Sequence, residues 1–215
     1  MTESDPIQSP VVVGVIGGIA SGKSQVTRML GEMDAVIISA DEIAHRVLEE
    51  SHVIRSLANV FGDSILTQRS DLADAPRTID RKSLASIVFG DSMDSRTMRK
   101  KLEAIVHPRI REIARSQLET LKKEAKTRFV VLDVPLLIEG GWLPYCDRVV
   151  FVDAQDAHRR QRALDRGWTV EDWQNRESAQ ISLSEKKMHA TDILVNDGTL
   201  EQLAQKVLKL TASWQ

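Results

Sequence analysis

The chain has 215 residues, 42% hydrophobic and 28% charged, a soluble globular balance with enough length to bury a core without a disulfide or metal staple. Lys plus Arg number 29 against 31 Asp plus Glu, and the net charge of −2 gives no electrostatic footprint for DNA or RNA beyond a local basic patch. With Cys146 the sole cysteine, an apolar stretch at Val11 to Ile19 too short for a bilayer, and an acidic opening MTESDPIQSP unlike a signal peptide, a cytoplasmic, membrane-free protein is expected.

Residues 1–10 carry two prolines and no periodicity, and read as a disordered tail. Val11 to Ile16 (VVVGVI) is a run without alternation, the pattern of a strand buried on both faces. A Gly-rich turn follows, then a helix from Lys23 to about Met33 and a second buried-type strand, Ala35 to Ser39. From Asp41 to about Ala125 the apolar spacing is helical throughout. Asp80 is placed to cap RKSLASIVF, Thr67 to Arg77 reads as an exposed loop, and Pro108 predicts a helix boundary. Strand signals return at Phe129 to Val134, Val149 to Val152 and Ile193 to Val195. Between the last two, Ala157 to Lys187 is polar and Arg-rich, the composition of a mobile flap with little core to cover. Thr199 and Gln202 form a capping-box start for a final amphipathic helix. Two strands joined through one helix predict a parallel crossover, so the fold class is α/β with inserted helices.

The first strand runs into Gly17-Gly18-Ile19-Ala20-Ser21-Gly22-Lys23-Ser24, which fits GxxxxGK[ST] without a mismatch. Glycines let successive N–H groups turn inward and keep side chains out of a phosphate's way. The helix that follows offers its unsatisfied N–H groups and positive dipole end to the same anion. Lys23 is placed to neutralise β- and γ-phosphate charge and the Ser24 hydroxyl to ligate Mg²⁺. A GTPase would carry Asn-Lys-x-Asp after a late strand, and Val195-Asn196-Asp197-Gly198 lacks the Lys. A small-molecule kinase, with an acceptor domain and a cover that excludes water, fits the insertion and the flap best. Its rivals are another small-metabolite kinase on the same core and a slow ATP-hydrolysing switch. A metal-dependent hydrolase is weaker, because the five histidines show no close ligand pair.

Ser39-Ala40-Asp41-Glu42-Ile43-Ala44-His45, together with GGIASGKS, resembles the dephospho-CoA kinase family. The likeness continues through Leu102 to Ile110 (LEAIVHPRI), Val131 to Glu139 (VLDVPLLIE), and the spacing of Arg162, Arg166, Arg176, Gln180, Lys186 and Asn196. It covers nearly the whole chain. Ala20 and Gln25 stand where Gly and Thr are frequent, Ser39 where Asp is common, and Trp168 and Trp173 are unusual in the flap. The resemblance implies a P-loop NTPase core with a five-stranded parallel sheet, an inserted helical substrate domain and a helical lid. The expected bounds are core about 11–40, 128–154 and 190–215, CoA-binding insertion about 41–127, and lid about 155–189. It implies transfer of the ATP γ-phosphoryl to the ribose 3′-hydroxyl of dephospho-CoA, with Mg²⁺ and no obligate protein partner.

The resulting assignments divide by role. Asp41, Lys23 and Arg162 are the candidate catalytic residues, Asp41 as the base or holding Mg²⁺ through water, and Arg162 (or Arg166, four positions on and on the same helical face) at the transferring phosphoryl. The alternative for Asp41 is a plain helix cap. Gly17, Gly18, Ile19, Ala20, Ser21, Gly22, Lys23, Ser24, Gln25 and Asn196 are expected at the nucleotide. Asp41, His45, His107 and Leu136 are expected at the acceptor, and Ser24 with Asp133 at Mg²⁺.

Overall fold

A computed structural model describes residues 9–67, 77–90 and 92–214, so the expected tail over 1–10 and loop over 67–77 lie mostly outside the described residues. The chain divides into two compact units, one taking residues up to Ile38 and from Leu118 onward, the other Ser39–Gln117. Among the described residues no helix is long and apolar enough to cross a membrane.

The first unit is built on five strands: β1 (Val11–Gly17), β2 (Ala35–Ser39), β3 (Phe129–Asp133), β4 (Arg148–Asp153) and β5 (Asp192–Val195). Their order is β2-β3-β1-β4-β5, with β1 parallel to β3 and β4, and β4 parallel to β5. The uninterrupted apolar runs of β1, β3 and β4 are explained by this placement, since inner strands are covered on both faces. Val13, Phe129, Val131, Val150 and Val152 are fully buried, and each such side chain contributes about 1.5–3 kcal/mol of burial free energy. The buried reading of β2 needs correcting: it is an edge strand whose Val36 and Ile37 stay exposed, because only one side has a neighbour.

Helix α1 (Lys23–Gly31) leaves the end of β1 and returns the chain along the sheet, burying Val26 and Leu30. The polar segment after β4 folds as three short helices, α6 (Asp156–Leu164), α7 (Val170–Ser178) and α8 (Leu183–Met188). It is less bare of core than its composition suggests. Ala163 and Trp173 are buried in a small cluster with Ala20, flanked by Ile19 and Trp168. The last helix, α9 (Leu200–Ala212), opens with the expected Thr199/Gln202 capping box.

The second unit is helical. It holds α2 (Ala40–Val47), α3 (Ser51–Phe61), α4 (Arg81–Val88) and most of α5 (Met93–Glu124). Ile43, Val47, Leu84, Val88 and Val106 are buried at the helical spacings read from the sequence, and Val53, Leu57, Ile65, Ile79 and Ala114 are buried as well. Asp80 caps α4, accepting from the Lys82 and Ser83 N–H groups. The predicted boundary at Pro108 does not occur, for α5 runs through it. The proline ring costs one backbone hydrogen bond there. Arg109, directly after it, is held by Glu50 at the start of α3, its Nε donating to Oε2 at 2.8 Å.

Candidate active site

The phosphate loop begins where β1 ends in the middle of the sheet and finishes at the first turn of α1. Gly22 is the N-cap of α1 with φ 102, and a Cβ there would collide with the Asn196 amide. Ala20 also lies in the left-handed region, φ 59, although it carries a side chain. That conformation costs roughly 1–2 kcal/mol, and the burial of its methyl against Ala163 and Trp173 offsets the cost.

Lys23 folds back over the loop, its Nζ donating to the carbonyls of Gly17 at 3.2 Å and Gly18 at 2.8 Å. Burial, and next the neighbouring Lys186 ammonium, pull its pKa down to about 8. Lys186, from α8, is itself buried and also donates to the Gly17 carbonyl, at 3.4 Å. Burial lowers its pKa as well. Two desolvated ammonium groups so placed are short of negative charge, and a polyphosphate supplies it.

The carbonyl side of the loop is tied down from β5 and α6. Asn196 is buried and its Nδ2 donates to the Ser21 carbonyl at 2.7 Å. Arg162 donates from Nη1 to the Ser21 carbonyl at 3.2 Å and from Nη2 to the Asn196 carbonyl at 3.0 Å. The expectation that Arg162 and Arg166 share a helical face is corrected: α6 ends at Leu164, and Arg166 falls in the turn before Gly167.

Of the remaining expected residues in this unit, Ser24 is exposed in the first turn of α1, and Gln25 beside it accepts a hydrogen bond from Arg28. Asp133 is the exposed last residue of β3, the strand paired to β1. Leu136, three residues on, is held at φ 53 with 46% of its surface exposed. A strained backbone presenting an apolar side chain to solvent is the kind of feature found at ligand sites. A hydroxyl and a carboxylate are hard oxygen donors, which suit Mg²⁺ and leave its other positions for water and phosphate.

In the second unit, Asp41 and His45 lie one turn apart on α2, both exposed. The cap of α2 is Ser39, whose side chain accepts from the Glu42 N–H, so Asp41 does not serve as the cap. His107 lines an open cavity of about 640 Å³ on α5, together with Lys100, Arg111 and Arg115.

Three side chains at the loop escaped the sequence reading: Arg159, Glu177 and, in any specific role, Lys186. Arg159 is 2% exposed, packs against Gly18, and donates from Nη1 to Glu177 Oε1 at 2.7 Å and from Nη2 to Asp156 Oδ1. Burial works against its charge, and the hydrogen bonds it donates to Asp156 and Glu177 outweigh that and raise its pKa. The i, i+3 spacing of Arg159 and Arg162 was the available signal. Nothing local marks Glu177.

A strand–loop–helix with inward N–H groups, two short-charged lysines and a buried arginine is equipped to hold the phosphates of a nucleotide. The dephospho-CoA kinase family model matches residues 11–202. A dephospho-CoA kinase of Rhodopirellula baltica is 39% identical over 212 residues, 99% of this chain and 94% of the relative. One of Geobacillus kaustophilus is 36% identical over 206 residues, 95% of this chain and 96% of the relative. Among solved structures, a Thermus thermophilus protein superposes with a TM-score of 0.71 at 31% identity, covering 96% of this chain and 98% of its own. Dephospho-CoA kinase from Campylobacter jejuni gives a TM-score of 0.66 at 25% identity, over 94% and 96% of the two chains.

Proposed function

The chain belongs to the dephospho-CoA kinase family, and from this premise we infer both its reaction and the residues that carry it. It phosphorylates dephospho-CoA at the ribose 3′-hydroxyl with ATP as donor, giving CoA and ADP, the last step of coenzyme A biosynthesis. The observation that carries the reading is Lys23 seated on the Gly17 and Gly18 carbonyls, on a strand–loop–helix of the kind whose backbone N–H groups hold phosphate.

In this reaction the bond from the 3′-oxygen to the γ-phosphorus forms as the bond to the β-bridging oxygen breaks, and ADP leaves. Asp41 takes the proton of the 3′-hydroxyl; its exposed position and freedom from capping support that role. Lys23 neutralises charge gathering on the leaving β-phosphate, and Arg162 holds the loop and offsets charge at the transferring group. Ser24 and Asp133 would hold Mg²⁺, which would supply positive charge against the phosphates. Gly17 to Gln25 and Asn196 form the nucleotide side. His45 and His107, and separately Leu136, are assigned to the acceptor, and the cavity at His107 offers it Lys100, Arg111 and Arg115 alongside Glu103 and Glu112. Residues 39–117 are the acceptor-binding unit and α6 to α8 the cover over the loop. The unpaired Cys146 and the use of ATP support a cytoplasmic setting.

Product masses test the reading. Purified protein with Mg-ATP and a mixture of dephospho-CoA, AMP, pantothenate and nucleosides should add one phosphoryl to dephospho-CoA alone. Phosphorylation of a different acceptor, or ATP hydrolysis with none, would reject it.

A further inference from the structure

We propose that Glu177 is a positioning residue whose carboxylate takes a phosphate's place on the loop, and that the triphosphate of ATP displaces it. Glu177 Oε2 accepts from the backbone N–H of Ile19 at 3.0 Å, a contact between a phosphate-loop amide and an anion contributed by the chain itself. Its second oxygen accepts from Arg159 at 2.7 Å, and Arg159 Nη1 also reaches the Ile19 carbonyl at 3.4 Å. The carboxylate therefore closes a ring of Ile19, Arg159 and itself over the loop.

Two further observations favour a stand-in over an ordinary ion pair. Glu177 occupies the last turn of α7, where the negative end of the helix dipole disfavours a carboxylate, so the contacts to the loop are what hold it there. Its charge also counteracts the lowering of the Lys23 pKa, and after Glu139 that of Lys186. Trp173, one turn earlier on the same face of α7, packs with Ala20, so the helix is seated on the loop by an apolar and an ionic contact together. An incoming phosphate serves the same N–H and the same cations, and its charge repels the carboxylate. The two anions compete, and the Glu177 contacts to the loop are held at the expense of ATP affinity.

The proposal rests on the reading that this loop holds the phosphates of ATP. Glu177→Gln keeps an oxygen acceptor for Ile19 but removes the charge. Calorimetry on the full chain should show ATP bound about three- to tenfold more tightly by this variant, the KM for ATP falling in parallel while kcat is little changed, and the Tm of the nucleotide-free protein should drop. Unchanged or weaker ATP binding would overturn the proposal, for Glu177 would then merely orient Arg159. In the wild-type protein the amide resonance of Ile19, titrated with pyrophosphate, reports the same exchange without a variant; a resonance that does not move sinks it equally. Lys23→Ala separates the two failures, because retained ATP affinity there would reject the phosphate loop itself.

Discussion

The phosphate loop and the helical unit of residues 39–117 place their candidate residues in opposite ways. At the loop, Arg159, Lys186 and Asn196 are sunk among partners that come from distant parts of the chain, and Lys23 folds back onto the loop's own carbonyls. In the helical unit, Asp41, His45 and His107 are exposed on helix surfaces, His107 at the cavity on α5. The first arrangement couples chemistry to stability, since each polar group is also a strut. The second leaves chemistry and stability separable, because a helix surface residue can change without disturbing the packing beneath it.

Substitution can break that contrast, and the largest effect is expected at Asp41. Asp41→Asn should lower kcat by about 10²–10⁴, the usual worth of a positioned base, with Tm and ATP affinity unchanged because Ser39 supplies the cap. A fallen Tm with near-normal turnover would return Asp41 to a structural part and erase the contrast. Asn196→Ala tests the opposite region. Loss of its buried bond to Ser21 should cost about 1–3 kcal/mol, a Tm drop of several degrees, together with ATP binding weakened about tenfold. Full stability in that variant, read by calorimetric melting, would show the loop to be less braced than the hydrogen bonds indicate.

The smallest effect sharpens the picture through protons. The Lys23 pKa falls from 10.5 to about 8 in the folded, nucleotide-free protein. A cation with a depressed folded pKa costs stability below pH 8, and the cost is relieved as pH rises from 8 to 10.5. Phosphate restores the charge, so ATP binding between about pH 8 and 9 should take up a fraction of a proton, visible as a dependence of binding enthalpy on the buffer. Lys23→Arg, whose guanidinium stays charged throughout this range, should abolish that uptake. Uptake that survives in the variant would assign the proton to another group.

Much of this architecture was legible in the sequence for identifiable reasons. Buried parallel strands are continuous apolar runs, and those of β1, β3 and β4 stand where VVVGVI, FVVLDV and VVFV indicate. Caps are local, and so Asp80 and Thr199 were readable from a few residues. What failed was nonlocal. The ring of Ile19, Arg159 and Glu177 joins residues up to 158 positions apart, and no spacing rule reaches so far. Arg166 was misplaced because the end of α6 is set by the Gly167 turn, which arginine spacing does not report. The edge position of β2 depends on strand order, and a short apolar run looks the same at an edge as within. Pro108 shows that a local rule can lose to packing, since the core residues Val106, Ala114 and Leu118 hold α5 helical to both sides of it.

The central place of β1 has a consequence for the protein's fluctuations. With β3 bonded along one edge and β4 along the other, the amides of β1 have no route to solvent through fraying, so they exchange with deuterium only when the whole unit opens. The loop that grips phosphate is thus rooted in the slowest-exchanging segment of the molecule. Nucleotide binding will be felt as slower exchange across the entire sheet, and a solvent-isotope experiment on β1 alone can serve as a gauge of occupancy at the loop.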